Sequence, residues 1–294
     1  MIAGSRKIGI SAAVLKNVAL VTMLIDHLTA YLWKAHLLSE GVTDLYSDPL
    51  YSWGRIIGRI AFVLYAFMIA EGACHTRNKL KYFLRLMALA VISEIPLDLA
   101  SSDALIDMSD QNIFFMLALG LVTIYAYQWI TDRCMLEAGD SIKPSEGNTK
   151  KGGIMHSRMG CLCIILRLLL IAAACWLAEI LHIEYGSFGV LLIMIFYIHR
   201  DHIYQLMISA VVVSTVGYAL HIGLKYPSYY LDFSDPQCFS RLIRSDRIQL
   251  HGILALPFIF FYNGEKGRQL PKYFYYFFYP AHLLVIWLIK MLAF

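Results

Sequence analysis

Asp26 and His27 stand side by side inside the apolar stretch LVTMLIDHLTAYLW, and His282 sits in a second such stretch, FFYPAHLLVIW. Between them lie Arg55 and Arg59, Glu94 just ahead of Pro96 and Asp98, and Asn112. Ionisable side chains among residues this apolar are costly and call for a reason. Histidine is the side chain best suited to moving protons near neutral pH. Neighbours on a helix point about 100° apart, so Asp26 and His27 must each find a partner on another helix. Arg55 and Arg59, four apart, share one helix face. Two readings are open. In one, Asp26 and Glu94 neutralise Arg59 and Arg55 as glue between helices. In the other, the cluster is a proton-transfer site, which better explains two imidazoles that packing does not require.

Such a cluster needs a scaffold to hold it. The chain has 294 residues, 59% hydrophobic and only 16% charged, with a mean hydropathy of +0.60. Soluble domains carry about 25% charged residues, so this composition excludes the ordinary soluble classes. Apolar stretches fall near 12–35, 55–73, 81–97, 112–130, 161–182, 187–199, 203–223, 248–262 and 273–293. The expected architecture is all-α, a single multi-span domain over 1–294 with about nine crossings. The first stretch, interrupted by Lys16 and Asn17, reads as a retained span rather than a cleaved signal. With the N-terminus inside, fourteen Lys and Arg fall in inner loops and five in outer ones, as the positive-inside rule requires. Residues 131–160 read as a flexible inner loop. Residues 225–247 read as an outer loop in which Arg241, Arg244 and Arg247 mark a short interfacial helix. The net charge of +4 is too small to imply a nucleic-acid partner.

A second constellation lies at the expected inner face. FYNGEKG, with Asn263, Gly264, Lys266 and Gly267, closes the eighth stretch; Arg77 and Lys79 close the second. The plain reading makes Asn263-Gly264 a helix C-terminal cap. The functional reading lets glycine bring backbone close to a phosphate-bearing ligand, with Lys266 and Arg77 as counter-charges. The six cysteines form no disulfide framework, and Cys161-Leu-Cys163 is not a metal motif, so no metal is expected.

Taken together, LKNVALVTMLIDH, IGRIAFVLYAFMIAEG with HTRN, YFLRLMALAVISEIPLDL, EYGSFGV, and FYNGEKG with FYYFFYPAHLL resemble the TraX family of membrane proteins. The chain departs from the family at Val63, where Pro is common, and at Glu94, which adds a charge. The resemblance implies an inner-membrane acetyltransferase that takes acetyl-CoA from the cytoplasm. Its acceptor would be an amine, the N-terminus of an exported or membrane-inserted, pilin-like polypeptide; a cell-envelope sugar or lipid hydroxyl is the nearest alternative. On that reading His27 is the general base, Asp26 or another helix's carboxylate orients an imidazole, His282 is the second candidate base and Arg59 stabilises the oxyanion. Arg77, Lys79, Asn263, Gly264, Lys266 and Gly267 would hold the coenzyme. Two other classes fit the same residues: a proton-coupled transporter, against which the lack of internal repeats counts, and a non-catalytic subunit of a secretion or conjugation apparatus.

Overall fold

The computed structural model describes residues 9–109, 111–140, 149–225, 235 and 247–294. Within these residues the chain is helical and forms no sheet; two isolated bridges, Ile10 to Tyr262 and Gln111 to Ile183, tie loops together. The helices are α1 (Ala12–Ser39), α2 (Pro49–His75), α3 (Lys79–Ser102), α4 (Ile113–Asp140), α5 (Thr149–Ile180), α6 (Gly186–Ile198), α7 (Ile203–Gly223), α8 (Ile248–Phe260) and α9 (Lys272–Ala293).

Local chemistry sets the starts. Asp48 precedes Pro49 and accepts the Tyr51 amide at 2.7 Å, so α2 begins with a side-chain cap and a proline where the missing N–H costs nothing. Asn78 does the same for α3 through the Lys81 amide at 2.8 Å, and Asn112 for α4 through the Phe114 amide at 2.9 Å.

Among the described residues, six helices are long and apolar enough to cross a bilayer: α1, α2, α4, α5, α7 and α9. The expected count of about nine crossings is not confirmed. α3 carries Lys79, Lys81, Arg85, Glu94 and Asp98 along its length. α6 has 13 residues, about 20 Å at 1.5 Å per residue, against a hydrocarbon core of about 30 Å; α8 is short as well. α6 lies at the centre of the bundle, with Phe188, Val190, Leu192, Ile193, Met194 and Phe196 all buried. α5 is its opposite. Leu162, Ile164, Ile165, Leu168, Leu169 and Trp176 lie exposed on it, an apolar surface of the kind lipid covers. The protein is a multi-pass membrane protein whose apolar helices fit a bilayer.

Residues 131–140 and 149–160 continue α4 and α5 as helix rather than forming a flexible loop. The extra polar residues there do not break the helices. The interfacial helix expected around Arg241 and Arg244 falls outside the described residues, while Arg247 opens a helical turn, Arg247–Leu250.

Candidate functional site

The site begins where α1 meets α2. Gly54 and Gly58 recur four apart on α2, and a Cβ on them would overlap the Thr29 side chain and the Asp26 carboxylate respectively. The pair is a small-xxx-small face that lets the two backbones approach. Each glycine is followed by an arginine, and both arginines close on Asp26: Arg55 Nη1 donates to Oδ1 at 2.7 Å, and Arg59 Nη2 donates to Oδ1 at 2.9 Å and to Oδ2 at 2.7 Å. Arg59 Nη1 further donates to Gln249 Oε1 at 3.2 Å and Tyr185 Oη at 3.4 Å. Arg59 is 8% exposed, so its charge depends on these partners inside the bundle.

Sharing the carboxylates between Asp26 and Glu94 does not occur. One carboxylate takes both arginines, and Glu94 on α3 serves α4 instead. Its Oε2 accepts the Asn112 side-chain amide and, at 3.4 Å, the Asn112 backbone N–H, while Asn112 Nδ2 also reaches the Ala90 carbonyl at 2.7 Å. Glu94 thus fixes the cap of α4, and it stands apart from the arginine cluster and from the cavity that Arg59 lines.

His27 comes directly after Asp26 but points elsewhere, and at the next residue α1 widens into a π-helical turn, Leu28–Trp33; such bulges gather at functional sites. His27 Nδ1 lies 2.7 Å from His282 Nε2 on α9, and the rings are parallel within 3°. His282 Nδ1 lies 2.7 Å from the Phe278 carbonyl. A carbonyl can only accept, so His282 Nδ1 carries the hydrogen; its Nε2 is then bare in the neutral ring and accepts from His27 Nδ1–H. The chain of donors leaves His27 Nε2 as a lone pair with no hydrogen-bond partner among the described residues. Its imidazole is therefore oriented by His282. Asp26, taken up by the arginines, does not perform the orienting role expected of it.

His27 and Arg59 both line a cavity of about 440 Å³ at this end of the bundle. Two of its walls come from loops. Asp98, on α3, accepts the Asp107 amide at 2.8 Å, and hydrogen bonds from Ser109 hold Asp107 below the usual carboxylate range. The α5–α6 loop brings Glu184 and Tyr185, the latter in the left-handed region at φ +68° with its ring stacked 3.8 Å from Phe62.

A further pair on the cavity escapes sequence reasoning. His221 on α7 lines it and is 6% exposed, and its Nδ1 lies 2.7 Å from Glu179 Oε1 on α5. The same oxygen accepts the Ser187 amide at 2.8 Å. Here a carboxylate from another helix backs an imidazole, between residues 42 apart in sequence. α7 carries a second π turn, Val213–Gly217, one residue before Tyr218 and its turn to His221.

The opposite end of the bundle holds FYNGEKG. Glu265 and Lys266 carbonyls accept the Ala12 and Ala13 amides at 2.8 and 3.0 Å, which satisfies the free donors at the start of α1. Asn263 Oδ1 accepts the Glu265 amide at 2.9 Å, and Asn263 N donates to the Ile10 carbonyl at 3.0 Å. α8 ends at Phe260, with Phe261 as its cap, so Gly264, at φ +77°, turns the loop and does not cap the helix. Gly267, at φ +65°, sits where a Cβ would overlap Ser11. Lys266, Arg77 and Lys79 are exposed; Lys79 donates to Gln128 Oε1 at 2.8 Å. Among the described residues no hydrogen bond or ion pair joins Arg77 or Lys79 to Asn263 or Lys266. These side chains fit a phosphate-bearing ligand in charge, while the loop's backbone is committed to α1.

A family model described as TraX protein matches residues 11–290. The chain is 29% identical over 301 residues to the probable fimbrial assembly protein FimC, serogroup H1, of Dichelobacter nodosus, with 98% of each chain covered. No solved structure matches. The matched span takes in the arginine clamp, both histidine pairs and the FYNGEKG loop, and the chain belongs to the TraX family.

Proposed function

We propose that the protein is an integral acetyltransferase of the bacterial inner membrane that moves an acetyl group from acetyl-CoA to an amine, the N-terminus of an exported, pilin-like polypeptide. Family membership and a relative named as a fimbrial assembly protein support the pilus connection. The observation that carries the reading is the oriented His27: a bare ring nitrogen, its tautomer fixed through His282 and the Phe278 carbonyl, on a cavity that Arg59 also lines. The acceptor enters that cavity, and His27 Nε2 takes a proton from its nitrogen. Arg59, held in place by Asp26, offers Nη1 to the oxygen that gains charge; its long contacts to Tyr185 and Gln249 are the ones such an oxygen can displace. Acetyl-CoA supplies the activated acyl group, with its phosphates paired to Lys266 and Arg77 at the opposite end. Ala13 and His27 are 14 residues apart on α1, about 20 Å at the helical rise, which is the distance acetyl-CoA would have to span between these two regions.

His27→Asn tests the reading. An amide can reproduce one hydrogen bond of an imidazole but has no usable basicity, and loss of a general base costs about 10²–10⁴ in rate. Purified His27→Asn should keep its melting temperature in detergent and bind acetyl-CoA normally, yet lose acetyl transfer to a peptide amine by that factor. Near-normal turnover would remove His27 from the chemistry.

A further inference from the structure

Acylating an ammonium group removes two protons from one nitrogen. The first must go before the nitrogen has a lone pair to attack with; the second goes as the amide forms. The new N–C bond replaces the C–S bond of the thioester, the sulfur leaves with the electron pair and takes one of the protons, and the other passes to water. One imidazole in the cavity accounts for one proton at a time.

The cavity holds two. His221 is buried and lines the cavity beside Tyr218 and Gln249, and its ring is held by a carboxylate. A carboxylate oxygen accepts only, so Glu179 Oε1 at 2.7 Å fixes the hydrogen of His221 on Nδ1. His221 Nε2 is then the bare atom, with no hydrogen-bond partner among the described residues. Glu179 is itself fixed, its Oε1 receiving the Ser187 amide at the start of α6. Gly186, at φ +47°, makes room for the pair: a Cβ there would overlap both His221 and Glu179. A side chain built so tightly at the end of α7, with a carboxylate behind it and a cavity in front, has the base-and-orienter arrangement of acyl-transfer enzymes. The two imidazoles differ in backing. Behind His27 stands a neutral ring; behind His221 stands a carboxylate, which stabilises the positive charge the ring acquires with a proton.

We propose that His221 is a catalytic residue that takes the first proton from the acceptor's ammonium group, with Glu179 as its positioning residue, and that His27 serves the second. The assignment rests on the acyl-transfer reading and gives each histidine one of the two protons. It also defines the acceptor as a cationic primary amine, for which Asp98, Asp107 and Glu184, which line the same cavity, provide the matching charge.

The experiment compares two acceptors on the full-length protein in detergent: a peptide with a free N-terminus, protonated at neutral pH, and a hydrazide, which is already neutral there. His221→Asn should lower kcat on the peptide by about 10²–10⁴, and the deficit should be at least tenfold smaller on the hydrazide. His27→Asn should be impaired on both alike. Glu179→Gln, which keeps the shape but cannot hold an imidazolium, should lower kcat on the peptide at least tenfold with the KM for acetyl-CoA unchanged. Equal deficits of His221→Asn on both acceptors, or a Glu179→Gln variant of normal kcat, would overturn the assignment while leaving acyl transfer standing. If His221→Asn does not fold, Glu179→Gln decides alone through the same two acceptors. A wild-type protein that acetylates neither acceptor sinks the acyl-transfer reading and this one with it.

Discussion

Asp26 holds two guanidinium groups with one carboxylate, and that ratio decides what its loss does. Removing one partner of a buried ion pair leaves an uncompensated charge, typically at about 3–5 kcal/mol. Asp26→Asn strands both Arg55 and Arg59, the latter almost wholly buried. It should therefore destabilise the protein by about 3 kcal/mol or more, measured by denaturant unfolding in detergent. Arg55→Ala, which leaves Arg59 on the carboxylate, should cost markedly less; equal costs, or an Asp26→Asn effect under about 1 kcal/mol, would show that the clamp does not hold the helices. The clamp is half legible in the sequence. Helical divergence shows that Asp26 and His27 cannot serve each other, and the i, i+4 spacing puts both arginines on one face. That one acid takes both, freeing Glu94 to fix Asn112, depends on which helix lies beside which. His221 and Glu179 escape notice because each sits near the end of an apolar stretch, where a single polar residue reads as a flank. Only their meeting across α5 and α7 makes them a pair.

At the scale of elements, the two histidines that line the cavity both lie beside widened turns. The π segment of α1 begins at the residue after His27, and that of α7 ends four residues before His221. A π turn rotates the succeeding residues relative to a regular helix, so each helix presents its imidazole without carrying its whole apolar face with it. Apolar runs predict where helices lie, because runs of that length can be little else, but a run bounded at 187–199 looks the same whether it crosses a bilayer or fills a core. Its 13 residues are mostly buried, which places α6 at the centre of the bundle. The α1–α2 contact is the element interface most open to test. A methyl at Gly58 collides with the Asp26 carboxylate, and overpacking of this kind costs about 1–3 kcal/mol. Gly58→Ala should lose that stability and, by moving Asp26 and its neighbour His27, lower turnover as well. Gly160→Ala in α5 is the control: nothing lies within 4 Å of the new methyl, and alanine replaces glycine inside a helix at a gain of about 0.5–1 kcal/mol. A Gly58→Ala protein as stable as Gly160→Ala would mean that α1 and α2 tolerate separation.

At the scale of the whole molecule, the two candidate regions lie at opposite ends of one bundle. The cavity gathers the middle of α1, the end of α3, the α5–α6 loop, the end of α7 and the start of α8. The start of α1 and the FYNGEKG loop close the other end. Acetyl transfer to an exported polypeptide requires the first end to face outward and the second to face the cytoplasm, where acetyl-CoA is. The distribution of Lys and Arg makes the same demand independently, because the stretch 131–160 is rich in basic side chains, and the end of α4 and the start of α5 within it lie away from the cavity. A cysteine introduced between residues 141 and 148, in a background without the native cysteines, should resist an impermeant maleimide in intact cells and react once the membrane is permeabilised. A cysteine at Ser109, on the cavity wall, should react in intact cells. Inverting the bundle would exchange the two results and place the cavity in the cytoplasm. His27 and His221 would then face a compartment that holds acetyl-CoA but not the exported N-terminus, and the acceptor would have to be met before export. The labelling pattern therefore fixes not only which way the chain lies but which of its two ends receives the donor.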